Sequence, residues 1–118
     1  MQLRCTQVPK GYAIILVTFL EIMSLTKLGE GGKFPLGKTV TTRGALAALT
    51  FDEIMLALHR HAVGDWGDLG DGDIALNDKA LVSGDRLLSR YHSIAGVKFY
   101  IITESDRSVT TVLLTDEY

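Results

Sequence analysis

A chain of 118 residues with 47% apolar and 22% charged side chains has the length and balance of one folded domain, which excludes a disordered or fibrous segment. Its 12 Lys+Arg against 14 Asp+Glu give a formal net charge of -2, so nucleic acid binding finds no support in bulk charge and would need a local patch. Cys5 is the only cysteine, which rules out an intrachain disulfide and points to a reducing, cytoplasmic setting.

Tyr12 to Leu20 is a continuous apolar run ended by Glu21. It is shorter than the roughly 20 residues that span a bilayer, and no small-x-small cleavage pattern follows, so no membrane association is expected. The β-branched Ile14, Ile15 and Val17 suit a buried strand. A secretory leader and an upstream extension preceding a natural start at Met23 are the other two readings. From Thr26 to Lys38 the glycines Gly29, Gly31, Gly32 and Gly37 read as a loop. Gly32, Gly37, Lys38 and Thr39 stand at the spacing of a phosphate loop, but such a loop must open a helix with free backbone amides. Pro35 removes one amide and Thr39 to Thr42 is β-prone, so a loop entering a short extended segment at Thr39 to Thr41 is expected instead.

Thr50-Phe51-Asp52-Glu53 has the form of a capping box with Leu49 and Ile54 at staple positions. Phe51, Ile54, Met55 and Leu58 then recur at helical spacing through about Ala62. A shorter helix is expected over Gly44 to Leu49, and a third from Ile74 to Ser83 with Asp73 as N-cap and Gly84 as stop. Beyond Gly84 the pattern turns to strands over Arg86 to Ser93, Val97 to Glu104 and Ser108 to Leu114, joined by turns too short for anything but antiparallel pairing. The expected fold is α+β: a two-layer domain over residues 34–118, with a three-stranded antiparallel meander at its C-terminus covered by two or three helices. Residues 1–33 form an extension with the apolar run and the Gly-rich loop.

Phe34 to Val40, Gly44 to Leu46, Arg60 to Leu69, the region of Asn77, and Ile102 to Tyr118 carry a resemblance. The chain resembles a family of small bacterial proteins of plasmids and other mobile elements, hypothetical or plasmid-related, sometimes labelled type I restriction endonuclease subunit M. The resemblance runs from about Phe34 to the end and rests most on Gly64-Asp65-Trp66-Gly67-Asp68-Leu69 and on the terminal stretch. It implies an accessory role in mobile elements, not a mechanism. A methyltransferase subunit needs a cofactor domain with a Gly-rich loop following a strand, and none is visible.

The polar positions that stand out are His61, Asp65, Trp66, Asp68, Asn77, Glu104, Asp106 and Arg107, read together as a candidate polar cleft. His59 and His61 with Asp65 and Asp68 invite a zinc or manganese reading. Ligands two apart on a helix point roughly 200° from each other, so no metal is expected. His59 should face solvent and His61 should edge the apolar face, bonded to backbone. Trp66 should pin its loop, with presentation to a partner as the other reading. Asn77 shares a face with Ile74 and Leu81, as a satisfied buried amide or as a group pointing into a site. Glu104, Asp106 and Arg107 crowd a hairpin tip, either as a stabilised turn or as part of the cleft. Two function classes follow: a protein-binding module without a cofactor, in anti-restriction or other anti-defence, and, as alternative, a small metal-dependent or acid-base hydrolase acting on nucleic acid or a phosphate-containing substrate. Neither the partner's identity nor the oligomeric state is encoded legibly.

Overall fold

The structure is a computed structural model that describes Tyr12–Ala13 and residues 32–118. The expectations for Ile14 to Leu20, Met23, Cys5 and residues 26–31 of the Gly-rich loop lie outside the described residues. Chain order is β1 (Tyr12–Ala13), β2 (Lys38–Thr42), α1 (Arg43–Ala48), α2 (Phe51–Ala62), α3 (Asp71–Ser83), β3 (Leu87–His92), β4 (Lys98–Thr103) and β5 (Val109–Leu114), closed by a 3-10 turn over Thr115–Glu117. The fold is mixed α+β.

Helix starts follow the local chemistry. Thr50 accepts the Glu53 amide at 3.1 Å and the Glu53 carboxylate accepts the Thr50 amide at 2.9 Å, the reciprocal pair expected for α2. Thr42 caps α1 by accepting the Ala45 amide, and its hydroxyl donates to Glu117 at 2.7 Å, which ties the chain's last turn to the end of β2. Helix α3 begins two residues before Asp73, at Asp71, behind a Gly70 that offers no side-chain cap. Asp71 and Asp73 in its first turn complement the helix dipole, and Gly84 stops it in the left-handed region at φ 82°.

The strands pair in the order β1-β2-β5-β4-β3. The meander β3-β4-β5 is present, with Ser89 opposite Ile101 and Ile101 opposite Val112. It is not the whole sheet. β2 runs parallel to β5, Thr39 opposite Thr110 and Thr41 opposite Val112, and β1 adds antiparallel to β2. The expectation of a three-stranded antiparallel meander is corrected to a mixed sheet because a parallel pair needs a long crossover. Here the connection from β2 to β5 holds α1, α2 and α3 and the strands β3 and β4, and turn chemistry carries no trace of it. The same strand answers the phosphate-loop question: Lys38 and Thr39 open β2, not a helix.

Strand alternation places Leu87, Ser89, Tyr91, Phe99, Ile101, Thr103, Thr110 and Val112 on the face toward the helices. There they meet Ile54, Ala57, Leu58 and Ala62 of α2, Ala45 of α1, Ala80 of α3, and Phe34, Leu36 and Trp66 from loops. The opposite face is buried in part, at Val40, Ile102, Val109 and Leu113. Over that face Tyr118 packs against Tyr100 at a ring distance of 5.5 Å.

Candidate functional site

His61 projects from the last turn of α2 onto the sheet and is wholly buried. Its position on the apolar face follows from helical spacing, since Ile54, Leu58 and His61 share one side. Its partners are hydroxyls on two strands and not backbone groups, which corrects the expected backbone bond. Nδ1 lies 2.6 Å from Ser89 Oγ and Nε2 lies 2.9 Å from Thr103 Oγ1. Thr103 Oγ1 in turn lies 2.7 Å from Thr110 Oγ1, which donates to the Leu36 carbonyl at 2.6 Å.

That last bond fixes the protons back to Nε2, and the neutral state of the buried ring leaves Nδ1 as the acceptor. A carbonyl only accepts, so the Thr110 hydroxyl hydrogen is committed to Leu36 and Thr110 must accept from Thr103. Thr103 therefore accepts from His61, which carries its hydrogen on Nε2 and accepts from Ser89 at Nδ1. The imidazole is neutral. Burial, and secondarily the charge of Arg107, hold its pKa down to about 3.

Two aromatic rings and one cation complete the surroundings. Phe34 meets His61 edge-on at 5.2 Å and Trp66 meets it at 5.7 Å, while Phe34 and Trp66 stack at 6.3 Å. Arg107 lies over Phe34 at 5.7 Å. Its guanidinium donates to the carbonyls of Asp85 at 2.7 Å, Glu104 at 3.2 Å and Ala80 at 3.2 Å. These contacts tie the β4–β5 turn to the C-terminal end of α3, and they hold Arg107 at a left-handed φ of 60°.

The Gly64 to Leu69 loop closes the sheet edge. Arg90 donates its amide to Trp66 O at 3.2 Å and accepts the Asp68 amide, forming an isolated parallel bridge at Gly67. Gly67 has φ 77°, and a Cβ there would run into the Arg90 carbonyl, so the loop approaches β3 only with glycine at this position. The Trp66 indole donates to Asp78 at 3.0 Å, fastening α3 to the same loop. Two residues away along β3, the Asn77 amide completes the edge by donating to Leu88 O at 2.5 Å and accepting the Leu88 amide at 3.2 Å. Of the two readings of Asn77, the satisfied buried amide is the one the geometry shows.

The carboxylates point outward into separate partnerships. Asp65 pairs with Arg60 at 2.7 Å, and that hydrogen bond holds its pKa below the ordinary carboxylate value. Arg60 also lies over the Tyr91 ring at 4.7 Å. Asp68 lies 2.7 Å from His92 Nδ1. Glu104 faces Arg86 at 3.6 Å. Asp106 accepts the Ser108 amide and hydroxyl, an arrangement that stabilises the turn.

Of the eight residues singled out in the sequence, His61 and Trp66 thus meet Phe34 in the interior, with the half-buried Arg107 against the same ring. Asp65 and Asp68 lie on the rim of that cluster, Asn77 seals the β3 edge, and Glu104 and Asp106 flank the turn that carries Arg107. Sequence reading missed Phe34, Ser89, Thr103 and Thr110 as members, and Arg60 and His92 as partners. The signal for the hydroxyls was strand phase: Ser89 falls between Leu87 and Tyr91, and Thr103 follows Phe99 and Ile101, in the apolar register. His59, expected in solvent, is half-buried, and its Nδ1 is a buried atom without a partner among the described residues.

His61 offers a metal no lone pair, since Nδ1 already accepts and Nε2 carries hydrogen. Among the described residues no group of three or more His, Cys, Asp or Glu side chains is placed to hold a metal ion. No described helix is long and apolar enough to cross a membrane. Comparison of the chain with protein-family models, with curated proteins and with solved structures found no match.

Proposed function

We propose that this chain is a protein-binding accessory module, acting in the cytoplasm, and that its contact surface centres on the β3–β4 turn. The observation that carries the reading is Ile94, which is 98% exposed on a turn with little freedom to move. Its amide donates to the Glu53 carboxylate at 3.1 Å, Ser93 and Val97 close the turn at 2.9 Å, and the Ser93 hydroxyl accepts the Val97 amide at 3.1 Å. Phe51, 55% exposed, opens the same helical turn that supplies Glu53. An apolar side chain presented on a pre-ordered turn loses little entropy on binding, which is the economy of an interface anchor.

The polar residues support binding over chemistry in the same sense, because the groups shifted furthest in pKa, His61 and Tyr91, are buried and internally bonded. The resemblance to small proteins of mobile elements makes anti-restriction or another anti-defence role the first to test. The hydrolase alternative keeps one supporting feature, the exposed Asp68–His92 pair, whose carboxylate would orient an imidazole for acid-base work.

The test is affinity capture with tagged wild type and Ile94→Asp, compared after both show the same melting temperature. A component retained by wild type and reduced about tenfold or more by Ile94→Asp is the expected result. Equal capture by both proteins would remove the turn from the proposal. Loss of a measured hydrolytic activity in His92→Gln would instead favour the enzyme.

A further inference from the structure

We propose that residues Lys33 to Gly37 form a strap that protonation of His61 releases from the body of the fold. The strap has four holds. Lys33 donates its amide to Ala62 O at 2.7 Å, and at the other end Lys38 donates to Ser108 O at 2.9 Å. Between them the Phe34 ring lies against His61, Trp66 and Arg107, and the Leu36 carbonyl receives the Thr110 hydroxyl. Both inner holds adjoin His61. Its ring is the surface that Phe34 meets edge-on, and the Leu36 carbonyl is the terminal acceptor of the hydrogen-bond series that runs through its two nitrogens.

A proton arriving from solvent can add only at Nδ1, the nitrogen without hydrogen. The imidazolium then donates from Nδ1 to Ser89 Oγ, whose own hydrogen must turn away, while the Nε2 bond to Thr103 keeps its direction. The larger cost is the charge itself. From the β4–β5 turn, Arg107 supplies a second cation, so two positive groups lie against one phenyl ring. From β3, Tyr91 shares the face of Ser89, but its hydroxyl is neutral and donates to the Asp65 carbonyl at 2.6 Å. From α3, Asp78 is committed to the indole of Trp66 at 3.0 Å, and on α2 and the loop after it Arg60 and Asp65 neutralise each other. No described carboxylate hydrogen-bonds the imidazole. Water can hydrate the cation only if something moves. The sheet side is braced by the β3–β4 ladder and Trp66 by its loop and Asp78, whereas the strap, among the described residues, has the four holds above and the core packing of Leu36.

Amide exchange by NMR from about pH 7.5 to about 4 tests this directly, reading Lys33 and Lys38 against Ile101 in β4, with emission of Trp66, the sole tryptophan, as a second probe. Expected is a fall in protection at the strap amides of about tenfold per pH unit below about 6.5, with a matching change in Trp66 emission; Ile101, which opens only with the whole sheet, falls in parallel but stays better protected, and only its exchange accelerates in dilute urea. In His61→Gln the pH dependence of the strap should vanish. The proposal is overturned if strap and sheet amides show equal protection and the same urea dependence, if strap protection is flat with pH, or if His61→Gln keeps the wild-type profile. Should His61→Gln fail to fold, the wild-type contrast between Lys33 and Ile101 decides alone.

Discussion

His61 and Asp65 stand four residues apart, yet one ends in the interior with both nitrogens committed while the other lies at the surface in a pair with Arg60 that is 40% and 48% exposed. The interior series and the rim pairs use the same kinds of polar contact at similar distances. They differ in what replaces them when they break. At the rim, water takes over at once, and exposed ion pairs are worth roughly 0–1 kcal/mol. Inside, a lost partner leaves a desolvated group, which costs about 1–3 kcal/mol for each one orphaned.

The sharpest way to break this contrast is His61→Ala. It removes the acceptor of Ser89 and the donor to Thr103 and leaves a hole beside Phe34 and Trp66. A loss of about 3–5 kcal/mol in urea denaturation is expected. A loss below about 1 kcal/mol would show that the interior series adds no more than a rim pair.

Proton linkage separates the two regions without mutation. The folded state holds His61 at about 3 against an ordinary 6.5, so the unfolded chain binds the extra proton between those values. Stability from this group is therefore complete above pH 6.5 and falls toward pH 3, by about 1.4 kcal/mol per pH unit. For Asp65 and Glu53 the folded pKa is lowered instead, so their contribution is present above the ordinary values of 3.8 and 4.5 and is lost only as pH falls below those. Between about pH 6.5 and 5 His61 should account for a loss of about 2 kcal/mol, read by calorimetry or urea titration as the difference between wild type and His61→Gln. A flat profile across that window would count against the buried neutral assignment.

Asn77→Ala probes the sheet edge, which belongs to neither class. The substitution strips Leu88 of both backbone partners on the outer side of β3, where water can partly replace them. A loss of about 1–2 kcal/mol is expected, together with concentration-dependent self-association in light scattering, because an uncovered strand edge is a template for pairing.

Thr39 offers a milder contrast within the interior. It stands opposite Thr110 in the β2–β5 pair, yet its buried Oγ1 has no partner among the described residues, whereas Thr110 has two. Thr39→Val should be neutral or stabilising by up to about 1 kcal/mol, and Thr110→Val should destabilise by about 1–2 kcal/mol.

The parts of this arrangement legible in the sequence were those written in short-range chemistry. The Thr50 and Glu53 capping box, the Gly84 stop and the three C-terminal strands come from residues within a few positions of one another. Asn77 and Trp66 were recognisable as out of place because each falls in an otherwise apolar or tightly turning stretch. The parallel seating of β2 was not legible, since Thr39 meets Thr110 only through a connection that holds three helices and two strands. For the same reason His61 was separable from solvent only by its helix phase. Its partners lie 28 and 42 positions away, and nothing local announces them.

The smallest effect belongs to the rim, and it bears on function as well as stability. Asp68→Asn keeps the shape of the side chain but removes the charge facing His92, a pair whose members are 42% and 61% exposed. With solvent free to take over both groups, a change of less than about 0.5 kcal/mol in urea denaturation is expected, shrinking further in high salt. The Asp68 amide and carbonyl, which meet Arg90, are backbone groups that the substitution leaves in place. A loss above about 1.5 kcal/mol would mean that this pair is part of the edge closure and not a solvated contact. A near-zero loss accompanied by a changed His92 titration in NMR would show the opposite: a carboxylate that tunes an exposed imidazole without supporting the fold, which is the arrangement acid-base chemistry would require.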